Sequence, residues 1–333
     1  MERREFVRLS AGAAALTSLS GCRVPGKPRW SDAAYRKRPR SRVGVLAARG
    51  YGPGLADLLI RGLRLFDIDV AGRRVVLKPN FVEFDPREAI NTHPALIAAA
   101  IEAFRRLGAR EVIVAEGPGH RRDTGYILEA SGLGAALAET GTRYVDLNED
   151  AVRRVPLPAR YTGLDGLYLP ATVLEADLLV SMPKLKTHHW AGVTLSMKNL
   201  FGIVPGSIYG WPKNVLHWKG IGYSILDINA ALPVLRFNIV DGIVGMEGNG
   251  PLQGDPVPSG VLVLGRDPLA VDATSCRLMG IDPLRVGHFV EADRFLGNAR
   301  LEAIEQVGED PGPLRREYRV LEHLRALAVA AGG

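Results

Sequence analysis

The chain has 333 residues, of which 47% are hydrophobic and 23% charged, and its formal net charge is +6. Residues 22–42 contain eight Lys or Arg and one Asp, whereas residues 43–333 carry a net charge of −2. This distribution excludes a nucleic-acid-binding surface on the folded body, and two cysteines are too few for an iron–sulfur cluster held by four cysteines of this chain.

The first 21 residues have the features of an export signal. A basic start precedes an apolar run from Leu9 to Leu19, and small residues come directly before Cys22. Arg3 and Arg4 resemble the start of a twin-arginine signal, and the residues up to Cys22 resemble a bacterial lipobox. The alternative is a chance apolar N-terminus. We expect twin-arginine export, lipidation of Cys22 and a membrane-anchored lipoprotein on the extracytoplasmic side.

The basic segment 22–42 follows the proposed lipidation site directly. Beside a bilayer, each basic residue adds about 1 kcal/mol of attraction to anionic headgroups. A single acyl chain anchors a protein weakly, and a polybasic segment is a common second signal. We therefore interpret this segment as a tether to the membrane, with an ordinary soluble linker as the alternative.

Residues 43–333 are enough for one large domain or two closely packed lobes. Apolar runs of strand length alternate with segments of helical spacing, which predicts an α/β fold: a mainly parallel sheet with helices on both faces. The predicted strands are 43–47, 74–77, 111–115, 177–182, 235–240 and 260–264. The predicted helices are 55–66, 94–107, 126–139 (in two pieces around Gly132), 269–279 and 314–327.

The segment from about residue 193 to 220 is rich in glycine and fits neither pattern. We predict an irregular insertion that covers an edge of the sheet or forms a lid. The helix that follows later, 269–279, has a clear start signal, with Asp267 as N-cap and Pro268 in the first turn. On that helix, Asp272 would face the site or solvent, and Cys276 would be a small buried residue.

Each predicted apolar strand is followed by a charged or Gly/Pro-containing turn. In open α/β sheets, ligands bind outside the carboxyl ends of the strands. Polar loop residues are also the default after any strand, but five such turns share lysines, carboxylates and glycines, so we predict a common cleft. The turns are Lys78-Pro79-Asn80, Glu116-Gly117-Pro118-Gly119-His120, the stretch 183–188, Asp241-Gly242 and Gly265-Arg266-Asp267.

Four lysines in this set, Lys78, Lys184, Lys186 and Lys198, would place ammonium groups around one cavity. Buried together without an anion, they would repel one another and lose hydration at high cost. The cleft is therefore predicted to hold a phosphate, a carboxylate or protein carboxylates. The residues assigned to substrate binding are Lys78, Asn80, Glu116, Lys186, Lys198 and Asn199.

The sequence gives weaker indications of a cofactor. Gly50 to Gly54 only loosely resembles the dinucleotide fingerprint, which argues against NAD. His188 and His189 are adjacent, so they would point apart on regular structure. A divalent metal remains possible, with His188 joined by His217, Asp241, Glu247 or Asp255, but none of these residues forms a pair at a diagnostic spacing.

Five long motifs together resemble the family called domain of unknown function 362. They are VLKPN at 76–80, MPKLKTH at 182–188, TLSMKNLFG at 194–202, DGIVGMEGNGP at 241–251 and DPLAVD at 267–272. The resemblance covers residues 78–283 and implies no reaction. Some members of this family carry ferredoxin-like cysteine segments, which this chain lacks.

Three functions fit these features. In the favoured one, the chain is an enzyme for a small anionic substrate, which the lysines bind and polarise. The catalytic residues would be Lys184, which polarises the substrate, together with His188, Asp241 and Glu247, which would move a proton or hold a metal. The alternatives are a tethered protein that binds an anion or cofactor without chemistry, and a maturation partner of an exported redox enzyme.

Overall fold

The computed structural model of the chain describes residues 37–87, 89–119 and 123–329. The proposed export signal, Cys22 and the tether up to residue 36 lie outside the described residues. In the part of the chain that is described, none of the helices combines the length and the apolar character needed to cross a bilayer.

The described residues form strands and mostly short helices. The strands are β1 (Ser41–Ala47), β2 (Arg74–Pro79), β3 (Glu111–Glu116), β4 (Tyr144–Asp146), β5 (Val152–Pro156), β6 (Gly166–Pro170), β7 (Leu178–Met182), β8 (Lys184–His188), β9 (Gly192–Thr194), β10 (Arg236–Asn249), β11 (Gln253–Val257), β12 (Val261–Gly265) and β13 (Ile304–Gly308). The helices are α1 (Leu55–Arg64), α2 (Pro94–Arg106), α3 (Thr124–Ala130), α4 (Leu133–Thr140), α5 (Ala171–Leu174), α6 (Ser196–Asn199), α7 (Gly206–Tyr209), α8 (Asn214–Trp218), α9 (Ile221–Ala231), α10 (Pro268–Leu278) and α11 (Gly287–Ala292).

The main sheet has the strand order β13-β1-β12-β10-β7-β2-β3-β4. The strands from β10 to β4 are parallel to their neighbours, and so are β13 and β1. Only β12 in this path runs antiparallel to both of its neighbours. The predicted α/β fold with a mainly parallel sheet is therefore confirmed.

Both faces of the sheet are covered by helices. Successive strand residues point to opposite faces, so each strand contributes to two separate cores. Val75 and Leu77 of β2 pack in a core that includes α1 to α4, whereas Val76 packs in a second core that includes α6, α9, α10 and α11. Strands that are buried on both faces explain the continuous apolar runs in the sequence.

Two of the covering helices start as the sequence predicts. Asp267 caps α10 by accepting hydrogen bonds from the backbone N–H groups of Leu269 and Ala270, at 2.9 and 3.2 Å. His93 caps α2 through its side chain, which accepts from the backbone of Ala95. In both helices a proline occupies the first turn, where its missing N–H leaves no bond unmade.

Two predicted turns are strands in the structure. β10 continues through Asp241 and Gly242 for 14 residues, and Lys184–His188 forms β8. The two strands pair in parallel, and β8 also pairs antiparallel with β9. These long-range ladders satisfy the backbone groups of sequences that look like loops when they are considered alone.

The predicted helix 314–327 is wrong. This segment is extended, with 3₁₀ turns at Gly312–Leu314 and Glu322–Leu327. Its backbone bonds elsewhere instead: the N–H of Arg316 donates to Leu278 O at 2.8 Å, and the N–H of Tyr318 donates to Met279 O at 2.9 Å. These tertiary bonds and the burial of Tyr318 override a helical pattern that is mostly exposed.

The glycine-rich segment 193–220 is irregular, as predicted. It consists of β9, the short helices α6 to α8 and a 3₁₀ turn at Leu200–Ile203. It lies against the carboxyl ends of β2 and β3, where Lys213 Nζ donates to Gly117 O at 2.8 Å. The insertion therefore covers the edge at which ligands are expected.

Candidate functional site

A cavity of about 380 Å³ lies between the carboxyl ends of β2 and β3, the β8–β9 hairpin and the insertion. All six residues assigned to substrate binding line it, whereas of the four assigned to catalysis only His188 does. The described residues that line it also include His189, Trp190, Thr194, Phe201, Gly202, Pro212, Lys213, His217, Pro251 and Leu252. We refer to this space as the lysine cavity.

The floor of the lysine cavity is a buried ion pair between Lys78 at the end of β2 and Glu116 at the end of β3. Lys78 Nζ also donates to Asn199 Oδ1 at 3.1 Å and to Pro79 O at 2.8 Å. The carboxylate of Glu116 accepts from the backbone N–H groups of Phe81 and Gly117 as well. Burial lowers the pKa of Lys78, and the charge of Glu116 opposes this shift.

Gly202 allows the insertion to contact this ion pair. A Cβ atom at residue 202 would lie 2.6 Å from Lys78 Nζ and would overlap Glu116 Oε1. No side chain fits at that distance, so glycine is required by close approach here.

Lys186 and Lys213 are buried and are held by carbonyl oxygens instead of carboxylates. Lys186 Nζ donates to Ile90 O at 2.8 Å and to Pro251 O at 3.3 Å. Lys213 Nζ donates to the carbonyls of Gly117, Phe201 and Gly202 at 2.8 to 3.3 Å. Burial is the main cause that lowers the pKa of Lys213 to about 7 and moves the pKa of Lys186 well below its ordinary value.

Lys198 differs from the other lysines of the cavity. In the described part of the chain, no hydrogen bond or ion pair reaches its ammonium group, and its Nζ lies over the Phe201 ring, 5.8 Å from the centroid. Burial and the charge of Lys78 lower the pKa of Lys198 to about 8. The backbone nearby is fixed by Asp272, which accepts from the N–H groups of Ser196 and Met197 at 2.7 and 2.9 Å.

His188 is a neutral donor to the cavity. Its Nδ1 accepts from the backbone N–H groups of Trp190 and Ala191 at 3.0 and 3.1 Å, so the proton of the neutral ring is assigned to Nε2. Burial and the charge of Lys198 move the pKa of His188 well below its ordinary value. The ring of His189 stacks on that of His188 with centroids 4.8 Å apart. The expectation that the two rings point apart is wrong because β8 ends at His188 and its alternation stops there.

Two neutral polar atoms of the lining have no hydrogen-bond partner among the described residues. They are Asn80 Oδ1 and Thr194 Oγ1, and both are buried. An unpaired buried polar atom costs about 1–3 kcal/mol. A ligand with a donor group, or ordered water, would remove this cost.

The electrostatic balance of the cavity favours an anion over a cation. Its described lining contains four lysines and one carboxylate, and that carboxylate already pairs with Lys78. Within the described ranges, no group of three or more His, Cys, Asp or Glu side chains is arranged to hold a metal ion. Asp241, Glu247 and Asp255, which the sequence suggested as ligands beside His188, make other contacts.

One wall of the cavity is aromatic and apolar. The ring of His217 lies 5.0 Å from that of Phe201 and 6.1 Å from that of Trp190. Pro212 and Leu252 extend this surface. A charged end and an apolar wall in one cavity suit a ligand with an anionic group and an apolar or flat part.

Lys184 and Asp241 form a second buried ion pair, outside the lysine cavity. Lys184 Nζ donates to Asp241 Oδ2 at 2.7 Å, and the hydroxyl of Tyr51 donates to Asp241 Oδ1 at 2.7 Å. The carboxylate also accepts from the backbone N–H of His93, whose ring stacks on Tyr51 at 3.7 Å. Burial, together with the charge of Asp241, raises the pKa of Tyr51 and so keeps the phenol protonated. This cluster ties β8, β10 and the loop after β1 together.

Glu247 also lies away from the lysine cavity. Its carboxylate accepts from the backbone N–H and the guanidinium of Arg319, at 2.9 and 2.6 Å. Asp255, opposite Glu247 on β11, pairs with the same guanidinium.

Asp272 faces neither the cavity nor solvent, because its carboxylate caps α6. Burial raises the pKa of Asp272 to about 7.

Sequence reasoning missed Lys213 and Thr194 as lining residues. Lys213 follows Trp211 and Pro212 in a turn that carries no apolar strand before it, so the strand-end pattern does not include it. Its positive φ of 68° is rare for a residue other than glycine and marks a constrained position, but only the structure shows it.

The fold and the cavity define a class: an α/β protein with a lysine-lined pocket at the carboxyl edge of its parallel strands. The chain belongs to the family described as "Domain of unknown function (DUF362)", whose model matches residues 75–277. The resemblance found in the motifs is therefore confirmed.

The chain is also similar to one curated protein and, more distantly, to two solved structures. The thylakoid-associated protein sll1697 of Synechocystis sp. is 27% identical over 233 residues, which are 67% of this chain and 68% of that protein. The lactate racemase apoprotein of Thermoanaerobacterium thermosaccharolyticum has a TM-score of 0.46 and 16% identity over 74% of this chain. A Thermotoga maritima protein solved as a structural-genomics target has a TM-score of 0.44 and 14% identity over 67% of this chain. The chain spans 58% and 57% of these two structures.

Proposed function

We propose that this protein is an exported, membrane-anchored enzyme that acts on a small anion with an apolar part, bound in the lysine cavity. The observation that carries the proposal is the convergence of Lys186, Lys198 and Lys213 on a cavity whose described carboxylate, Glu116, is already paired. A phosphate or carboxylate would neutralise these ammonium groups and would reverse the unfavourable shifts that burial imposes on them.

The roles of the residues follow from their contacts. Lys186 and Lys213 attract the anionic group through their charge, since both line the cavity and their Nζ atoms are held in place by carbonyl oxygens. His188 supplies a proton through Nε2. Asp241 and Glu247 were the proton carriers suggested by the sequence, but their side chains are engaged elsewhere, and we propose structural roles for both and for Lys184.

The test is a thermal-shift screen of the full chain against inorganic phosphate, phosphorylated small molecules and aromatic or aliphatic carboxylates. A ligand at 100 times its dissociation constant stabilises the native state by about 2.7 kcal/mol. Lys186→Met should abolish the shift, whereas Lys219→Met, which removes an exposed lysine outside the cavity, should keep it. Equal shifts in both variants would remove the basis of the proposal.

A tethered binding protein remains the second candidate, because the cavity lysines alone suffice for capture. The two candidates differ at His188. In an enzyme, His188→Gln keeps the ligand-induced thermal shift but stops conversion of the ligand, followed by mass spectrometry of the reaction mixture. A ligand that wild type binds tightly but never alters would favour the binding protein.

Export and anchoring are proposed from the sequence of residues 1–42. The name of the thylakoid-associated relative, which describes that protein, agrees with a location at a membrane. Replacing Arg3 and Arg4 with lysine should retain the protein in the cytoplasm of a host with twin-arginine export. Cys22→Ser should release it from the membrane fraction, and unchanged fractionation would contradict the anchor.

A further inference from the structure

The four lysines of the lysine cavity are not equivalent, and the difference points to a reaction. Lys78 is paired with a carboxylate, while Lys186 and Lys213 donate to two and three carbonyl oxygens. Lys198 is half-buried and opens into the same space, with no hydrogen-bond acceptor for its Nζ among the described residues. A lone pair on its nitrogen would therefore be accessible to a bound molecule.

We propose that Lys198 is a nucleophilic amine that forms an imine with the carbonyl group of an anionic ligand held in the lysine cavity. The ligand class is thus a small oxo acid or a phosphate-bearing aldehyde or ketone. This inference rests on the proposed function, because the charges of Lys186 and Lys213 must keep the anionic group in the cavity while Lys198 reacts.

The position of Lys198 is set by its surroundings. Asp272 holds the two preceding backbone N–H groups, and Asn229 Nδ2 donates to Met197 O at 2.9 Å. On the other side, Asn199 joins the floor through Lys78 and through Ser181 Oγ at 3.0 Å. The stem of Lys198 therefore leaves a backbone that is fixed on both sides, which limits the loss of freedom on reaction.

The protonation of Lys198 agrees with this role. A pKa of about 8 gives a substantial neutral fraction at neutral pH. This fraction is roughly 300-fold larger than that of a lysine with an ordinary pKa. Desolvation and a neighbouring cation are the two causes that activate amines in proteins, and here they are burial and Lys78.

The reaction balances without an oxidant or reductant. The nitrogen of Lys198 attacks the carbonyl carbon, the C–N bond forms, and the electron pair of the C=O bond moves to oxygen. His188 Nε2–H donates a proton to that oxygen and recovers one from the nitrogen. The carbinolamine hydroxyl then takes a proton from solvent and leaves as water, while the lone pair of the nitrogen forms the C=N bond of the protonated imine. The protonated imine withdraws electrons from the adjacent carbon and so favours loss of a proton or a carboxylate there.

The experiment traps the imine in the full chain. The protein is incubated with glyoxylate, which carries both an aldehyde and a carboxylate, in the presence of cyanoborohydride, and the product is mapped by peptide mass spectrometry. We expect one dominant adduct on Lys198, formed at least about ten-fold faster than adducts on exposed Lys219, with a rate that rises with pH around 8. Glycolaldehyde, which lacks the anionic group, should react slowly at Lys198.

Lys198→Arg is the matched variant, since it keeps the positive charge but cannot form the imine. The dominant adduct should disappear while the thermal shift with lactate, an anion without an aldehyde or ketone group, remains. Adducts spread evenly over surface lysines of wild type would overturn the imine. If lactate or phosphate still stabilises wild type in that case, only the imine proposal is wrong. If no anion of the screen stabilises wild type, the proposed function is wrong as well. Should Lys198→Arg fail to fold, the wild-type peptide map decides.

Discussion

Lys78 and Lys184 are both buried, and each pairs with one carboxylate, yet only Lys78 lies at the cavity. The difference comes from the neighbours. The hydrogen bonds of Lys184 and Asp241 go to each other, to the hydroxyl of Tyr51 and to backbone groups, so this cluster leaves no space for a ligand. The pair at Lys78 forms a floor on which other lysines converge. Identical residue types at strand ends can therefore serve structure or binding, depending on what fills the space beside them.

The floor pair gives a prediction about stability. Lys78→Met leaves Glu116 buried without a counter-charge and should destabilise the protein by about 3–5 kcal/mol, as measured by urea unfolding. The double variant with Glu116→Gln should recover much of that loss, because no charge then remains in the floor. Two losses that simply add would show that the residues act independently.

Lys213 links stability to pH. Its pKa is about 7 in the folded chain and near 10.5 when exposed, so between these values the unfolded chain binds more protons than the folded one. The contribution of Lys213 to stability therefore rises as pH increases from 7 to 10. The melting temperature of wild type minus that of Lys213→Met should therefore increase between pH 7 and pH 10. Lys219→Met should follow wild type, and a constant gap between wild type and Lys213→Met would contradict the shifted pKa.

At the scale of elements, the cavity depends on how closely the insertion approaches the sheet. Gly202→Ala places a Cβ against the floor pair, so it should lower the melting temperature and weaken anion binding together. Gly287→Ala, at the start of α11, has nothing within 4 Å of the added Cβ and serves as the control. If Gly202→Ala binds the ligand as wild type does, the insertion does not shape the site.

Elements were predictable from sequence where the signal is local. The apolar runs before Lys78 and Glu116 placed the ends of two strands within two residues of where the structure has them, at Pro79 and Glu116. β8 and the second half of β10 have no local signal, since their pairing is between distant segments. Sequence reasoning missed Lys213 for the same reason, because its carbonyl partners come from other segments: the end of β3, Phe201 and Gly202.

At the scale of the whole molecule, charge is unevenly placed. Residues 43–333 have a net charge of −2, but four lysines and one carboxylate meet in the described lining of the cavity. Such a local excess of one sign concentrates oppositely charged ligands. Burial lowers the pKa values of Lys198 and Lys213, and a bound anion would raise them again. Binding an anion should therefore change the number of bound protons.

Anion binding should therefore take up protons at pH 8, because a bound anion raises the pKa values of Lys198 and Lys213 from about 8 and about 7. Isothermal titration calorimetry in Tris and in HEPES should give different apparent enthalpies, whose difference reports the uptake. For Lys213→Met the uptake should be smaller. Identical enthalpies in both buffers would mean that the lysines do not change protonation on binding.

The length of β10 has a consequence for how molecules enter. This strand belongs to the central sheet through β7 and β12, and it also holds β8 and β11, which form one side of the cavity. That side cannot separate from the sheet unless the backbone bonds that join β10 to β8 and β11 break. The opposite side is built from short helices and turns, so any widening of the cavity would come from their displacement. Amide exchange should accordingly be slow along β10 and faster across residues 200–217.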